Sequence, residues 1–218
     1  MEPADVVEYS EQYYVLRHRS PAFQAELRWA MALVDGVPPD PVLEVGCGGG
    51  ALLARVAARG FRAVGIDSNL TGLSLARRTE ASIRVVAASA ADLPFRDGVF
   101  AAVVAQHVIE HFEAPHEIVR EWIRVMRPGG QLVVVTPNRF YPDPESFFDP
   151  THRHIYSTQD LISLMQSQHL QVESCSDRRP FLFSRKLELL ACMGAEVFQR
   201  MPGFQGRGAS LVLAARKP

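Results

Sequence analysis

The chain predicts an α/β fold, a doubly wound, seven-stranded and mostly parallel sheet with an antiparallel last strand. Three observations lead there. From residue 42 onward, short apolar stretches alternate with segments of helical period, the pattern of parallel strands joined by crossover helices. Residues 99–105 (VFAAVVA) are almost wholly apolar, as a central strand covered on both faces must be. The last pair of strands leaves no room for a full crossover, so the final strand is reversed and placed at an edge. With 218 residues, 47% hydrophobic and 22% charged, the chain suits one globular domain with a full core. The formal net charge is −1 and no run of Lys or Arg exceeds two, which argues against nucleic acid as a partner. Cys47, Cys175 and Cys192 lack a metal-type spacing and fit a reducing compartment. No stretch is long and apolar enough for a membrane span or signal segment, so the expectation is a cytoplasmic monomer or homodimer.

The elements follow in order. Residues 1–40 form an N-terminal helical cap. Pro21 starts its second helix, and Gly36, Pro38 and Pro39 end it. Val42 to Val45 is the first strand. Gly46, Cys47, Gly48, Gly49 and Gly50 then make a turn that lets backbone N–H groups approach a ligand, and Ala51 to Arg59 is a helix stopped by Gly60. Gly46, Gly48 and Ala51 satisfy a dinucleotide-type GxGxxA spacing. Gly50 and the carboxylate of Glu44 suit instead a ligand with positive charge near the loop. Phe61 to Asp67 is the second strand, and Asp67 at its end matches a ribose diol, two oxygens to two hydroxyls. Leu70 to Arg78 is a helix, Ile83 to Ala87 a strand, and Ala88 to Phe100 a loop ending in DLPFRDGVF. The central strand then delivers QHVIEHF (106–112), the densest cluster of titratable groups, to the end of the sheet where ligands bind. Pro115 to Met126 is an amphipathic helix, RPGG (127–130) a turn, and Gln131 to Thr136 the fifth strand. Residues 138–156 (NRFYPDPESFFDPTHRHIY) read as a lid or binding loop. Ser157 to Gln168 is a helix with Thr158 as its cap, Leu170 to Cys175 and Ala209 to Ala215 are strands, and 181–201 is a helical insertion.

Taken in order, the acidic residue with GxGxG at 44–50, the DLPF loop and RPGGxLxVxTPN resemble class I S-adenosylmethionine-dependent methyltransferases across residues 40–170. The resemblance implies the Rossmann-like methyltransferase fold for 41–218 and S-adenosyl-L-methionine as cofactor. It places Glu44 near the aminoacyl end, with Gly46, Cys47, Gly48 and Gly50 under the sugar and methionine parts. Asp67 and Ser68 fall at the ribose, Ser89, Ala90 and Asp92 at the adenine, and Gln106 at the end of the central strand. Ser89 stands where the family carries an acidic residue, and Asp92 offers a substitute. N-terminal helices of the family close over the cofactor, which makes Tyr13, Tyr14, His18 and Arg19 candidates for lining the site.

For chemistry the candidates are His107, His111 and His152, with Asp149 and His154 as further base or clamp groups. His107, Glu110 and His111 also spell HxxEH, a zinc-protease motif that would require a helix. The same stretch resembles the ExxEH segment of ubiquinone-type O-methyltransferases, which would imply a divalent metal. DPTH (149–152) resembles loops of enzymes acting on sugar-type acceptors. The expectation is a general base without a metal, and methyl transfer to a small-molecule acceptor at oxygen, with nitrogen and carbon left open. The alternatives are a catalytically silent methyltransferase-fold binding protein and a small NAD-dependent oxidoreductase.

Overall fold

Alternating strand and helix patterns produce alternating elements. The computed structural model describes residues 9–36, 41–141, 149–180 and 208–218. In chain order these are α1 (Glu11–Arg19), α2 (Pro21–Val34), β1 (Val42–Val45), α3 (Ala51–Ala58), β2 (Ala63–Asp67), α4 (Leu70–Thr79), β3 (Arg84–Ala87) and β4 (Phe100–Gln106). A single 3-10 turn (Ile109–His111), α5 (Pro115–Val125), β5 (Met126–Pro137), α6 (Thr158–Ser167), β6 (Gln171–Pro180) and β7 (Gly208–Arg216) follow. The marks at Pro38 and Pro39, the centre of the 138–156 loop, Cys192 and the 181–201 insertion lie outside the described residues.

The seven strands run in the order β3-β2-β1-β4-β5-β7-β6. The pairs from β3 to β5 are parallel, and β7 is antiparallel to both β5 and β6. The reversed strand is therefore not at the edge, as expected, but one place inside it. β7 buries Gly208 to Ala215, an apolar run that needs a neighbour on each side and a cover on each face. The more polar β6 (QVESCSDRRP) takes the edge.

Successive residues of the central strands face opposite ways, so each strand feeds two cores. Val42, Ala102, Val104, Val133, Val135 and Val212 pack with α2, α3 and α4 on one face. Leu43, Val45, Val103, Ala105, Leu132 and Val134 pack with α5 and α6 on the other. Trp122 of α5 is fully buried there and donates its indole N–H to the Ala90 carbonyl (3.1 Å), fixing the turn after β3.

Two local readings are corrected. RPGG is not a turn ahead of β5 but a bulge within it. Phe100 pairs with Met126 and Ala102 with Gln131, and the slack is taken up by Gly129 at φ +73°. Its N–H donates to Lys217 O (2.9 Å), so the residue that follows β7 holds the bulge in place. The cap of α6 is Ser157, not Thr158: its hydroxyl accepts from Asp160 N–H while the Asp160 carboxylate accepts from Ser157 N–H, a reciprocal box. Among the described residues no helix is long and apolar enough to cross a membrane.

Candidate active site

The strand order reverses between β1 and β4, which opens a crevice at their carboxyl ends. The glycine loop lines it. Gly46, Gly48 and Gly50 take left-handed φ of 71°, 47° and 77°. The amides of Gly46 and Cys47 both donate to Ile66 O, at 2.8 and 2.9 Å, which ties the loop to β2. No side chain caps α3 at Gly50. Glu44 reaches it from below, one carboxylate oxygen accepting from the Leu53 amide, a favourable place for negative charge. The other oxygen, Oε2, is buried without a hydrogen-bond partner. Burial, and then the neighbouring Asp67 charge, hold the Glu44 pKa well above the ordinary carboxylate range. Gln106 Oε1, at the end of β4, is a second buried acceptor with no partner. Two orphaned acceptors beside a glycine loop fit a ligand carrying an ammonium donor.

Asp67 is more committed than its sequence position suggests. Oδ2 accepts from the Gly48 amide (2.7 Å) and Oδ1 from the Asn69 amide (2.8 Å). Each oxygen keeps a further lone pair for a diol. Burial raises its pKa against the pull of these bonds. Helix α1 lies over the loop: a Cβ on Gly48 would sit 2.7 Å from Tyr14 Cε1, and one on Gly49 would sit 2.7 Å from His18 Cε1. Tyr14 and His18 thus pack directly on the glycine loop. Tyr13 stacks on Tyr9 at 4.3 Å, and Arg19 is exposed. Ser68 is exposed at the rim. The Ser89 hydroxyl accepts from the Ala91 amide (3.1 Å) and Ser89 bridges to Asp92, both residues exposed, while the Ala90 carbonyl accepts from the Trp122 indole.

The histidine cluster divides into two groups. His107 follows β4 with φ +55°, a conformation rare for a side-chain-bearing residue. Its Nε2 is 3.0 Å from Glu26 Oε2 and its Nδ1 is 3.3 Å from Glu110 Oε1. Burial disfavours the imidazolium, but the Glu26 charge and contacts to Glu110 and Glu26 outweigh it and push the pKa up to about 9. Glu110 is fully buried, yet its pKa is lowered: His107 and His111 offset its desolvation. A zinc-protease helix is excluded, since HxxEH spans a strand end and one 3-10 turn.

His111 faces the 149–156 loop instead. The Thr151 hydroxyl donates to Asp149 Oδ1 (2.6 Å), so toward His111 Nδ1 (3.0 Å) it can only accept. The Thr151 carbonyl, 3.3 Å from the same nitrogen, requires the same proton. His111 is thereby held as the Nδ1–H tautomer with its lone pair on Nε2. The His152 ring stands edge-on to it at 4.9 Å. One donor atom each from Glu110, His111 and His152 lies within 4.8 Å of the others, a set that could hold a cation. The loop is anchored to this cluster by the amides of Arg153 and His154, both donating to Glu110 O (2.7 and 3.0 Å). His154 itself turns away to Glu113 O. Sequence reasoning missed Glu26 and Thr151. A lone carboxylate within the apolar face of α2 was the signal for the first, and the Asx-type DPT turn for the second.

The family model "Methyltransferase domain" matches residues 43–134. The chain is 32% identical over 134 residues to a probable S-adenosylmethionine-dependent methyltransferase of Mycolicibacterium smegmatis, covering 61% of this chain and 52% of that protein. It is 34% identical over 149 residues to demethylmenaquinone methyltransferase of Thermus thermophilus, with 64% and 66% covered. A S-adenosylmethionine-dependent methyltransferase from Archaeoglobus fulgidus superposes with a TM-score of 0.70 at 18% identity, over 95% of this chain and all of that one. The chain spans about half the length of the first curated relatives it matches. Glycine loop, strand order and these likenesses agree, and the chain belongs to the class I S-adenosylmethionine-dependent methyltransferases.

Proposed function

We propose that this protein transfers a methyl group from S-adenosylmethionine to a hydroxyl oxygen of a small molecule. The observation that carries the reading is the Asp149–Thr151–His111 chain, which fixes the Nδ1–H tautomer of His111 and leaves the lone pair on Nε2, in the turn that directly follows β4. The cofactor supplies an electrophilic sulfonium methyl, so the protein must hold the acceptor in line, exclude water and receive one proton. Glu44 and Gln106 take the cofactor's ammonium end and Asp67 its ribose. Gly46, Cys47, Gly48 and Gly50 pass beneath it, and Tyr14 and His18 close over it. His111 Nε2 accepts the acceptor's hydroxyl proton, and Asp149 stabilises the resulting charge through Thr151. His107, already facing a carboxylate on each ring nitrogen, shapes the wall instead of acting as base.

Calorimetry tests the first half. The cofactor should bind and NAD should not, and Asp67→Ala should weaken binding by roughly 1.5–3 kcal/mol. An unchanged affinity in the variant would remove the ribose role. The second half needs a panel of hydroxylated acceptors: His111→Ala should lower turnover by about 10²–10⁴-fold while cofactor affinity holds. One observation favours a variant of this mechanism, the Glu110, His111 and His152 donor set. A divalent cation there would polarise the acceptor oxygen in place of a free base. Activity insensitive to a chelator, with no heat of binding for magnesium, manganese or zinc, would eliminate it.

A further inference from the structure

We propose that Glu26 of helix α2 is a positioning residue of the methyl-transfer site, acting through His107 to set the placement of His111. This rests on the role given to His111 above. Glu26 is 3% exposed and sits among Ala25, Leu27, Trp29 and Ala30 on the buried face of α2, outside the segment matched by the family model. An apolar residue would serve that face as core. A buried carboxylate costs several kcal/mol unless it is well paired. Its partners come from two strands distant in sequence. Oε2 accepts from Gln106 Nε2 (3.2 Å) and faces His107 Nε2 (3.0 Å), both at the end of β4, and Oε1 accepts from Ser210 Oγ (2.5 Å) on β7.

What this carboxylate holds is a strained corner. His107 has φ +55°, which persists in a residue other than Gly only where the surroundings enforce it. Its amide continues the β4–β5 ladder to Val135 O (2.8 Å), so the corner is where the chain leaves the sheet for the 109–111 turn. Glu26 fixes the ring from one side. Glu110, whose Oε2 accepts from Thr136 Oγ1 (3.1 Å), sets its other oxygen 3.3 Å from the ring on the opposite side, a charge contact. The next residue is His111. Release of the ring from Glu26 lets the corner relax toward negative φ, which swings the turn and with it the His111 imidazole. An N-terminal helix thereby controls the geometry of a base carried by the central strand.

The test is a histidine-ring proton–nitrogen correlation spectrum of the full chain at one neutral pH, for the wild type, Glu26→Gln, His107→Asn and the double variant. Asn visits left-handed backbone without being held there, so His107→Asn removes the ring that pins the corner while the chain can still pass through it and fold. Titration with S-adenosylhomocysteine on the same samples reads the cofactor site. The expected result is a shift of the His111 ring signals in Glu26→Gln, a shift in His107→Asn, and no further shift in the double variant, in the free and in the S-adenosylhomocysteine-saturated samples alike. His111 signals that stay in place in Glu26→Gln, or shifts that add in the double variant, overturn the proposal. Should Glu26→Gln not fold, Glu26→Asp, one methylene short of the same contacts, carries the same criteria. Absence of S-adenosylhomocysteine binding to the wild type would overturn the methyltransferase reading instead, and the His111 signals would still decide the coupling.

Discussion

Glu44, to which the proposed function gives the cofactor's ammonium end, costs stability in the cofactor-free protein. Its pKa is raised by burial and by Asp67, so the folded chain holds the proton more tightly than the unfolded chain does. The contribution to stability is full below the ordinary value of 4.5 and is lost as pH rises through the raised folded value, by at most about 1.4 kcal/mol per pH unit. Glu44→Gln should remove that slope: cofactor-free melts should find the variant gaining on the wild type from pH 4.5 to 8, while cofactor affinity falls by roughly 1.5–3 kcal/mol. The glycines give a second contrast at this scale. Gly60 has φ +84° with nothing within 4 Å of a Cβ, whereas Gly48 at φ +47° would drive its Cβ into Tyr14. Gly60→Ala should cost only the left-handed penalty of about 1–2 kcal/mol. Gly48→Ala should cost more in denaturant melts and also weaken the cofactor. Equal losses would mean that Tyr14 yields freely.

At the scale of elements, each helix start reveals what its sequence is for. Helix α6 carries the reciprocal Ser157–Asp160 box, and Ser157→Ala should destabilise the protein by about 1 kcal/mol in chemical denaturation without touching cofactor binding. Helix α4 is capped by Asn69, whose side chain accepts from the Gly72 amide at 3.0 Å. Helix α3 differs, starting at Gly50 with no side-chain cap of its own. That gap faces the crevice, as a ligand-binding helix end should. The bulge of β5 belongs to the same scale. The dipeptide GG within RPGG reads as a turn from local propensity, yet pairing of Met126 with Phe100 and of Lys217 with Gly129 and Gly130 draws the segment into the sheet. Long-range ladder bonds overrode a local preference.

For the molecule as a whole, the reading of the crevice predicts linkage between cofactor and stability. At about a hundredfold over its dissociation constant, S-adenosylmethionine should stabilise the fold by about 2.7 kcal/mol, which for a chain of this size is about 5–11 °C in Tm. NAD should leave Tm unchanged, and a shift with NAD alone would favour the oxidoreductase instead. The strand–helix alternation, the glycine loop with Glu44 and Asp67, and delivery of QHVIEHF to the end of a buried strand were all legible in the residues. Those features are local: apolar periodicity and glycine spacing act over a few residues, and each names its element wherever the element packs. Packing across the sheet is what puts β7 inside β6, gives His107 and His111 opposite surroundings, and brings Glu26 against His107 and Thr151 against His111. Glu26 stands 81 residues from His107 and 184 from Ser210, and nothing in a run of residues encodes which carboxylate will meet which imidazole across such distances. The electrostatics of a buried site come from contacts that form only when the sheet closes around them.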